Sequence, residues 1–153
     1  PNEAAATVSV AASGPIGFNW GDSGLEDPPE TPAFYTNYGT NAVDIAAPGG
    51  DADLEAAADD VAGWYYDLVF NTISEPVFNK RGKYIRSEPG YAWLAGTSMA
   101  APNVAGAAAL VKSANPDYSA NQVREALKEA AAVPEGYDKT YYGSGYLNVV
   151  DAL

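Results

Sequence analysis

The chain has 153 residues, 47% of them hydrophobic, which bounds it at one domain, or a piece of one, with enough apolar matter for a sizeable core. Twenty acidic against eight basic residues give a net charge of -12, and such a polyanion repels nucleic acid and acidic lipid, so both are set aside as partners. There is no cysteine, no histidine and no Asn-x-Ser/Thr sequon. Disulfides and thiolate metal sites are therefore excluded, and no window reaches the ~18 consecutive apolar residues of a membrane span.

The chain opens Pro1-Asn2-Glu3, with neither a basic region nor an apolar signal core, so a removed leader or an internal piece is expected. Residues 5–12 are small and β-branched and read as a buried strand, stopped by Ser13-Gly14-Pro15. Residues 17–40 are loop-rich, with Gly21-Asp22-Ser23-Gly24 and Pro28-Pro29 as breakers. Residues 42–47 look like a second strand, ended by Pro48-Gly49-Gly50. The acidic, alanine-rich stretch 51–60 reads as a short solvated helix or a loop. From Trp64 to Trp93 the chain is aromatic and β-branched. Two or three strands are expected there, with a hairpin around Lys80-Arg81-Gly82 and turns at Glu75-Pro76 and Glu88-Pro89-Gly90.

A helix is predicted from about Ser98 to Ser113, with Pro102 near its start, where a missing N–H costs least, and Asn115-Pro116 as its stop. Ser119-Ala120-Asn121-Gln122 is a capping-box pattern. The helix it opens, about 120–132, carries Val123, Ala126, Leu127 and Ala130 on one stripe. Residues 141–147 read as a strand with a tight glycine approach, and Asn148 to Leu153 as the start of a last helix. The sum is mixed α/β, helices covering a sheet.

Ser98 is the candidate for chemistry. The bland reading of a Gly-Thr-Ser before an alanine-rich helix is a helix-cap serine. The functional reading is that the helix dipole and the free N–H groups of its first turn stabilise negative charge beside the hydroxyl. The Ser98 N–H could then donate to an oxyanion in acyl transfer. The pattern is neither a Gly-x-Ser-x-Gly elbow nor a Ser-x-x-Lys dyad.

Three blocks in order resemble the subtilisin-like serine peptidases (subtilases). They are Phe34-Tyr35-Thr36-Asn37-Tyr38-Gly39 with Val43-Asp44-Ile45-Ala46-Ala47-Pro48-Gly49, then Gly96-Thr97-Ser98-Met99-Ala100-Ala101-Pro102-Asn103-Val104-Ala105-Gly106, then Gly143-Ser144-Gly145-Tyr146-Leu147-Asn148. Thr7 to Ala11 is similar to the family strand ending in Val-Gly-Ala, with alanine for its glycine. The resemblance implies the C-terminal part of a subtilase catalytic domain, residues 1–153, with 51–93 as a β-rich insertion. It implies a partial three-layer α/β fold, a mostly parallel sheet with packed helices. It also implies a secreted endopeptidase acting on polypeptide, with Ser98 as nucleophile and oxyanion donor and Gly96 and Thr97 shaping the turn and meeting substrate. Asn103 stands where the family usually has a histidine that is not catalytic. The acidic composition is like that of haloarchaeal members; a soluble acidic enzyme and a calcium-rich surface are the other readings of the charge.

The departures are as informative. The family's Asp-(Ser/Thr)-Gly and His-Gly-(Thr/Ser) blocks, and the asparagine completing its oxyanion hole, belong N-terminal to everything here. Asp22-Ser23-Gly24 matches the aspartate block only superficially and reads as a plain turn. The chain alone is therefore expected to be inert, to partner with the missing N-terminal portion of its own domain, and to self-associate through an exposed sheet edge. A non-catalytic peptide-binding or self-assembling module on the same scaffold is the alternative. The chemistry needs no cofactor. Asp51-x-Asp53-x-Glu55 hints at structural calcium without the glycine and glutamate an EF-hand needs. Trp64, Tyr65, Tyr66, Phe70 and Trp93 are expected as core or as a peptide groove.

Overall fold

A computed structural model describes residues 7–22 and 24–153. The centre is a parallel pair of short strands, β1 (Val10–Ser13) and β2 (Ile45–Pro48), in register from Val10 opposite Ile45 to Ser13 opposite Pro48. Their Ala-Ala steps are nearly free of solvent contact, because parallel strands carry apolar residues on both faces. β1 begins later than expected, and residues 5 and 6 of the predicted strand lie outside the described residues. Of the Asp22-Ser23-Gly24 turn, Asp22 is in a turn and Ser23 lies outside the described residues.

The long helix α2 spans Thr97–Ala114. Ala100, Val104, Ala107 and Val111 recur at three- and four-residue steps, and this stripe is buried against β1 and β2. The helix α3 (Ala120–Ala130) packs Val123 and Leu127 into the same core. Its expected capping box forms: Ser119 Oγ accepts from Gln122 N–H at 3.4 Å, and Gln122 Oε1 accepts from Ser119 N–H at 2.9 Å. Asp44, just before β2, accepts from Ser9 N–H at 2.9 Å and from Lys128 Nζ at 3.0 Å, which ties α3 to the sheet.

Between β2 and α2 lie a short helix α1 (Leu54–Ala58), a 3-10 turn (Trp64–Asp67), and the antiparallel ribbon β3 (Val69–Phe78) and β4 (Tyr84–Leu94). The ribbon closes over 79–83 around Gly82, close to the expected hairpin. Asp67 fastens its base. Buried to 2% exposure, Asp67 accepts from Gly17 N–H, Phe18 N–H and, at 2.7 Å, Trp20 Nε1.

Several expected elements differ. Glu75-Pro76 and Glu88-Pro89-Gly90 are not turns but lie inside the two strands, with Glu75 opposite Glu88. A proline costs a two-stranded ribbon nothing at a position whose N–H would point away from the partner. Trp64 to Asp67 is 3-10, not strand. Residues 141–147 are not a strand: Asp138 caps a helical turn, α4 (Lys139–Tyr142), by accepting from Thr140 N–H at 2.7 Å. The expected glycine approach is real, since a Cβ on Gly143 would lie 2.3 Å from the Val43 carbonyl oxygen. Gly143 and Tyr146 make isolated bridges to Ile45 and Ala46 instead. Residues 148–153 form turns, not a helix.

Candidate active site

Ser98 is the second residue of α2, and it is exposed. Gly96 is the helix's N-cap and offers no side chain to the free N–H groups. The Gly96 carbonyl accepts from Met99 N–H at 2.9 Å and Ala100 N–H at 3.2 Å. Among the described residues, the N–H groups of Thr97 and Ser98 and the Ser98 hydroxyl have no partner. An 18-residue helix thus aims its positive end and two unused donors at the space beside this hydroxyl.

Pro102, expected near the helix start, is the sixth helical residue and lies past the first turn, where its missing N–H leaves an intrahelical carbonyl without its donor. The Ser98 carbonyl therefore lacks the intrahelical donor that the fourth following residue would otherwise give.

The turn before α2 is held against the end of β2. Gly96 N–H donates to the Gly49 carbonyl at 3.0 Å. Asn103 Nδ2 reaches back to the Pro48 carbonyl at 2.8 Å and the Met99 carbonyl at 3.2 Å. Tyr35 donates its phenol to the Gly50 carbonyl at 2.5 Å. Burial, with Asp51 nearby, pushes the Tyr35 phenol up to about 12, so it stays a donor throughout the neutral and alkaline range. Gly49 has no room for a side chain, because a Cβ there would lie 2.7 Å from the Gly96 carbonyl oxygen and 2.7 Å from Ala12 Cβ. Tyr35, Asn103 and Gly49 thus place Ser98; the sequence reading gave Asn103 and Tyr35 no such part, and only their positions in the matching blocks marked them.

Two clefts meet at Ser98. One, of about 590 Å³, is lined by Ser9, Asn37, Tyr38, Thr97, Ser98 and Ala101. The other, of about 300 Å³, is bounded by β3, the end of β4 and the start of α2. Thr97 therefore borders the first cleft with Ser98, and Gly96 sits half-buried behind both residues.

The remaining candidates do not converge on Ser98. Asp51 is buried and accepts from Ala52 N–H at 2.8 Å and Phe34 N–H at 3.3 Å. Burial raises its pKa; these N–H groups oppose the rise, and Asp27 and Asp67 add to it. Asp53 caps α1 by accepting from Glu55 N–H at 2.8 Å and Ala56 N–H at 3.0 Å. Among the described residues no group of three or more carboxylates gathers as a metal site. Trp93 packs on Phe70 at 4.8 Å and on Tyr65 and Tyr66 at 5.5 Å each, centroid to centroid. These rings, with Trp64 against Tyr65, brace the ribbon on the 3-10 turn; Tyr65, Tyr66 and Phe70 are exposed and not deep core.

The model of the Subtilase family matches residues 1–145, and the chain belongs to this family. Subtilisin DY of Bacillus licheniformis is 52% identical over 59 residues, which cover 39% of this chain and 21% of that protein. A thermostable alkaline protease of Halalkalibacterium halodurans is 44% identical over 72 residues, covering 47% and 17%. The solved structure of a protease from Pseudoalteromonas arctica superposes with a TM-score of 0.67 at 31% identity, covering 99% of this chain and 36% of that one. This chain thus spans little more than a third of that structure, and its matched residues span about a fifth of the curated relatives.

Proposed function

We propose that this chain is the late part of a subtilase catalytic domain, a serine endopeptidase with Ser98 as its nucleophile. The observation that carries the reading is the exposed Ser98 hydroxyl beside two uncapped N–H groups at the tip of α2. In the reaction Ser98 Oγ attacks a peptide carbonyl carbon, and the carbonyl oxygen takes up the negative charge. The Ser98 N–H donates to that oxyanion, and the helix dipole favours it. The hydroxyl proton passes to a general base outside this sequence, which has no histidine. The tetrahedral intermediate collapses as the scissile C–N bond breaks and the base gives the proton to the departing amine. Water, deprotonated by the same base, then attacks the acyl-serine, and the Ser98 hydroxyl is restored as the carboxyl product leaves. No cofactor enters these steps.

Residues 51–93 serve as an insertion, and the histidine base, the aspartate that orients it and a further oxyanion donor come from an N-terminal portion of the same domain. An apolar cleft of about 590 Å³ supports that partner: Val8, Val10, Val104, Ala108, Val123 and Leu127 line it beside the start of β1. Action outside the cell is part of the proposal, as the family resemblance implies, and no helix among the described residues is long and apolar enough to cross a membrane. The net charge of -12 with five lysines and three arginines supports operation at high salt. The test is peptide cleavage by the full-length protein carrying this chain. Ser98→Ala is expected to lower kcat by at least about a thousandfold with KM little changed. Cleavage that survives the substitution contradicts the assignment.

A further inference from the structure

The basic residues of this acidic chain are unevenly spread. Residues 76–87 hold four of the eight, Lys80, Arg81, Lys83 and Arg86, and no acidic residue, against twenty acidic residues in the rest of the chain. All four stand at the far end of the β3–β4 ribbon, where residues 78–87 are all exposed. Arg86 Nε donates to Glu88 Oε1 at 2.9 Å, but Lys80, Arg81 and Lys83 make no ion pair among the described residues. The turn that carries them is fixed by Asn79 and the backbone. Asn79 Oδ1 accepts from Arg81 N–H at 2.9 Å and Lys83 N–H at 3.0 Å, Asn79 N–H donates to the Lys83 carbonyl at 2.9 Å, and Gly82 takes a φ of 73°. Three unpaired cations are thus displayed on a preformed turn. Behind them stand the exposed rings of Phe78 and Tyr84, edge to face at 6.3 Å.

The opposite end of the ribbon borders Ser98. Val69 and Leu94, paired at its base, line a cleft with Ser98. Ten residues of β3 at about 3.3 Å each put the turn roughly 30 Å from that cleft. Exposed charges are felt over about 10 Å at ordinary ionic strength, so the turn presents its own positive charge and not the net negative charge of the body. A partner must therefore be acidic where it meets the turn. A lipid surface fits the order of the side chains poorly, because the charges lead and the rings follow. The rings would reach the acyl layer only with three cations ahead of them. A polypeptide that enters the Ser98 cleft needs about ten extended residues to arrive at the turn, and it can carry carboxylates there.

We propose that the turn at residues 80–83 is a docking site for an acidic stretch of the polypeptide substrate, about ten residues away from the scissile bond. The inference rests on Ser98 being the nucleophile, which makes the occupant of the cleft a polypeptide. Lys80 and Lys83 meet carboxylates as point charges, and Arg81 offers a planar fork that a carboxylate can bridge. The ring pair gives apolar side chains between those carboxylates a surface to cover. The contact is remote from the reacting atoms and is the same before and during bond breaking. It therefore lowers KM and leaves kcat as it is.

The test uses the full-length protein carrying this chain and pairs of peptides that share one cleavable core. The members of a pair carry Glu-Leu-Glu-Leu-Glu or Gln-Leu-Gln-Leu-Gln about ten residues from the scissile bond, before it in one pair and after it in the other. At the lowest KCl concentration that keeps the fold, the Glu peptide of one pair is expected to exceed its Gln counterpart about fivefold in kcat/KM, all of it through KM. The advantage shrinks as added KCl screens it. The same ratio is expected in the Kd of the Ser98→Ala protein, read by fluorescence anisotropy. Lys80→Ser, Arg81→Ser and Lys83→Ser together abolish the preference. These side chains are exposed and take no part in the hydrogen bonds of the turn, so the melting temperature and the kinetics of the Gln peptide stay unchanged. Equal constants for Glu and Gln peptides in both pairs, or a preference that survives the triple substitution, overturns the docking site and leaves the nucleophile standing. So does binding to phosphatidylglycerol vesicles, or self-association in sedimentation velocity, that depends on these cations while no Glu preference exists. Cleavage that survives Ser98→Ala overturns the nucleophile instead, and the anisotropy arm still decides the docking site.

Discussion

Two glycines beside Ser98 do opposite work. At Gly49 the surrounding backbone fills the place of a side chain, with Gly96 O and Ala12 Cβ each 2.7 Å from an ideal Cβ. Gly49→Ala is expected to destabilise by about 3 kcal/mol, because neither neighbour can yield without moving β1 or the turn. At Gly96 the φ of 162° is ordinary extended backbone, and a Cβ would sit 3.6 Å from Ser98 N and 3.5 Å from Met99 Sδ. Gly96→Ala should leave stability within about 0.5 kcal/mol of wild type. The added methyl overhangs the Ser98 N–H, so kcat should fall by about tenfold through a crowded oxyanion donor. Thermal melts and peptidase kinetics on the two variants separate a fold role from a site role, and equal effects in both assays would refute the distinction.

At the level of elements, α3 is tied to the sheet by Asp44. Burial pushes this carboxyl up, but the Ser9 N–H, the Lys128 ammonium and Arg124 outweigh it and hold the pKa below the ordinary value. A depressed folded pKa adds stability that is present above the unfolded value of about 3.9 and is lost as pH falls through the folded value. Asp44→Asn should therefore cost about 1 kcal/mol at neutral pH, discounted for the partial exposure of the pair, and almost nothing at the acid end of that window. A denaturant midpoint series across pH checks it; a gap between the two proteins that stays constant with pH would count against the linkage. The same scale shows what could be read in advance. The capping box at Ser119 and the apolar stripe of α2 are local patterns, and both formed as read. Pro76 and Pro89 misled because a proline's meaning depends on whether its strand position faces a partner, which is a property of register. Tyr141 to Leu147 misled because Asp138 caps a helical turn ahead of glycines fixed by distant backbone, Gly143 against Val43 and Gly145 against Ala132.

For the whole molecule, the parts that would serve a nucleophile at Ser98 lie within this chain: the hydroxyl, its uncapped helix tip, and the Tyr35, Gly49 and Asn103 contacts that hold that tip to β2. Ser98 was legible because the residues flanking it in sequence also shape its turn. The clefts were not, because their walls come from β1, residues 37–43 and the ribbon, brought together only by folding. A hydroxyl at a helix tip is a weak nucleophile until a base takes its proton. The account therefore requires that Ser98 be placed but silent here, and reactive only when the rest of the domain supplies that base. Fluorophosphonate labelling measures this directly. The chain by itself is predicted to remain unlabelled, and the full-length peptidase to be labelled stoichiometrically at Ser98. Stoichiometric labelling of Ser98 in this chain alone, or labelling of the full-length protein at another residue, would contradict it.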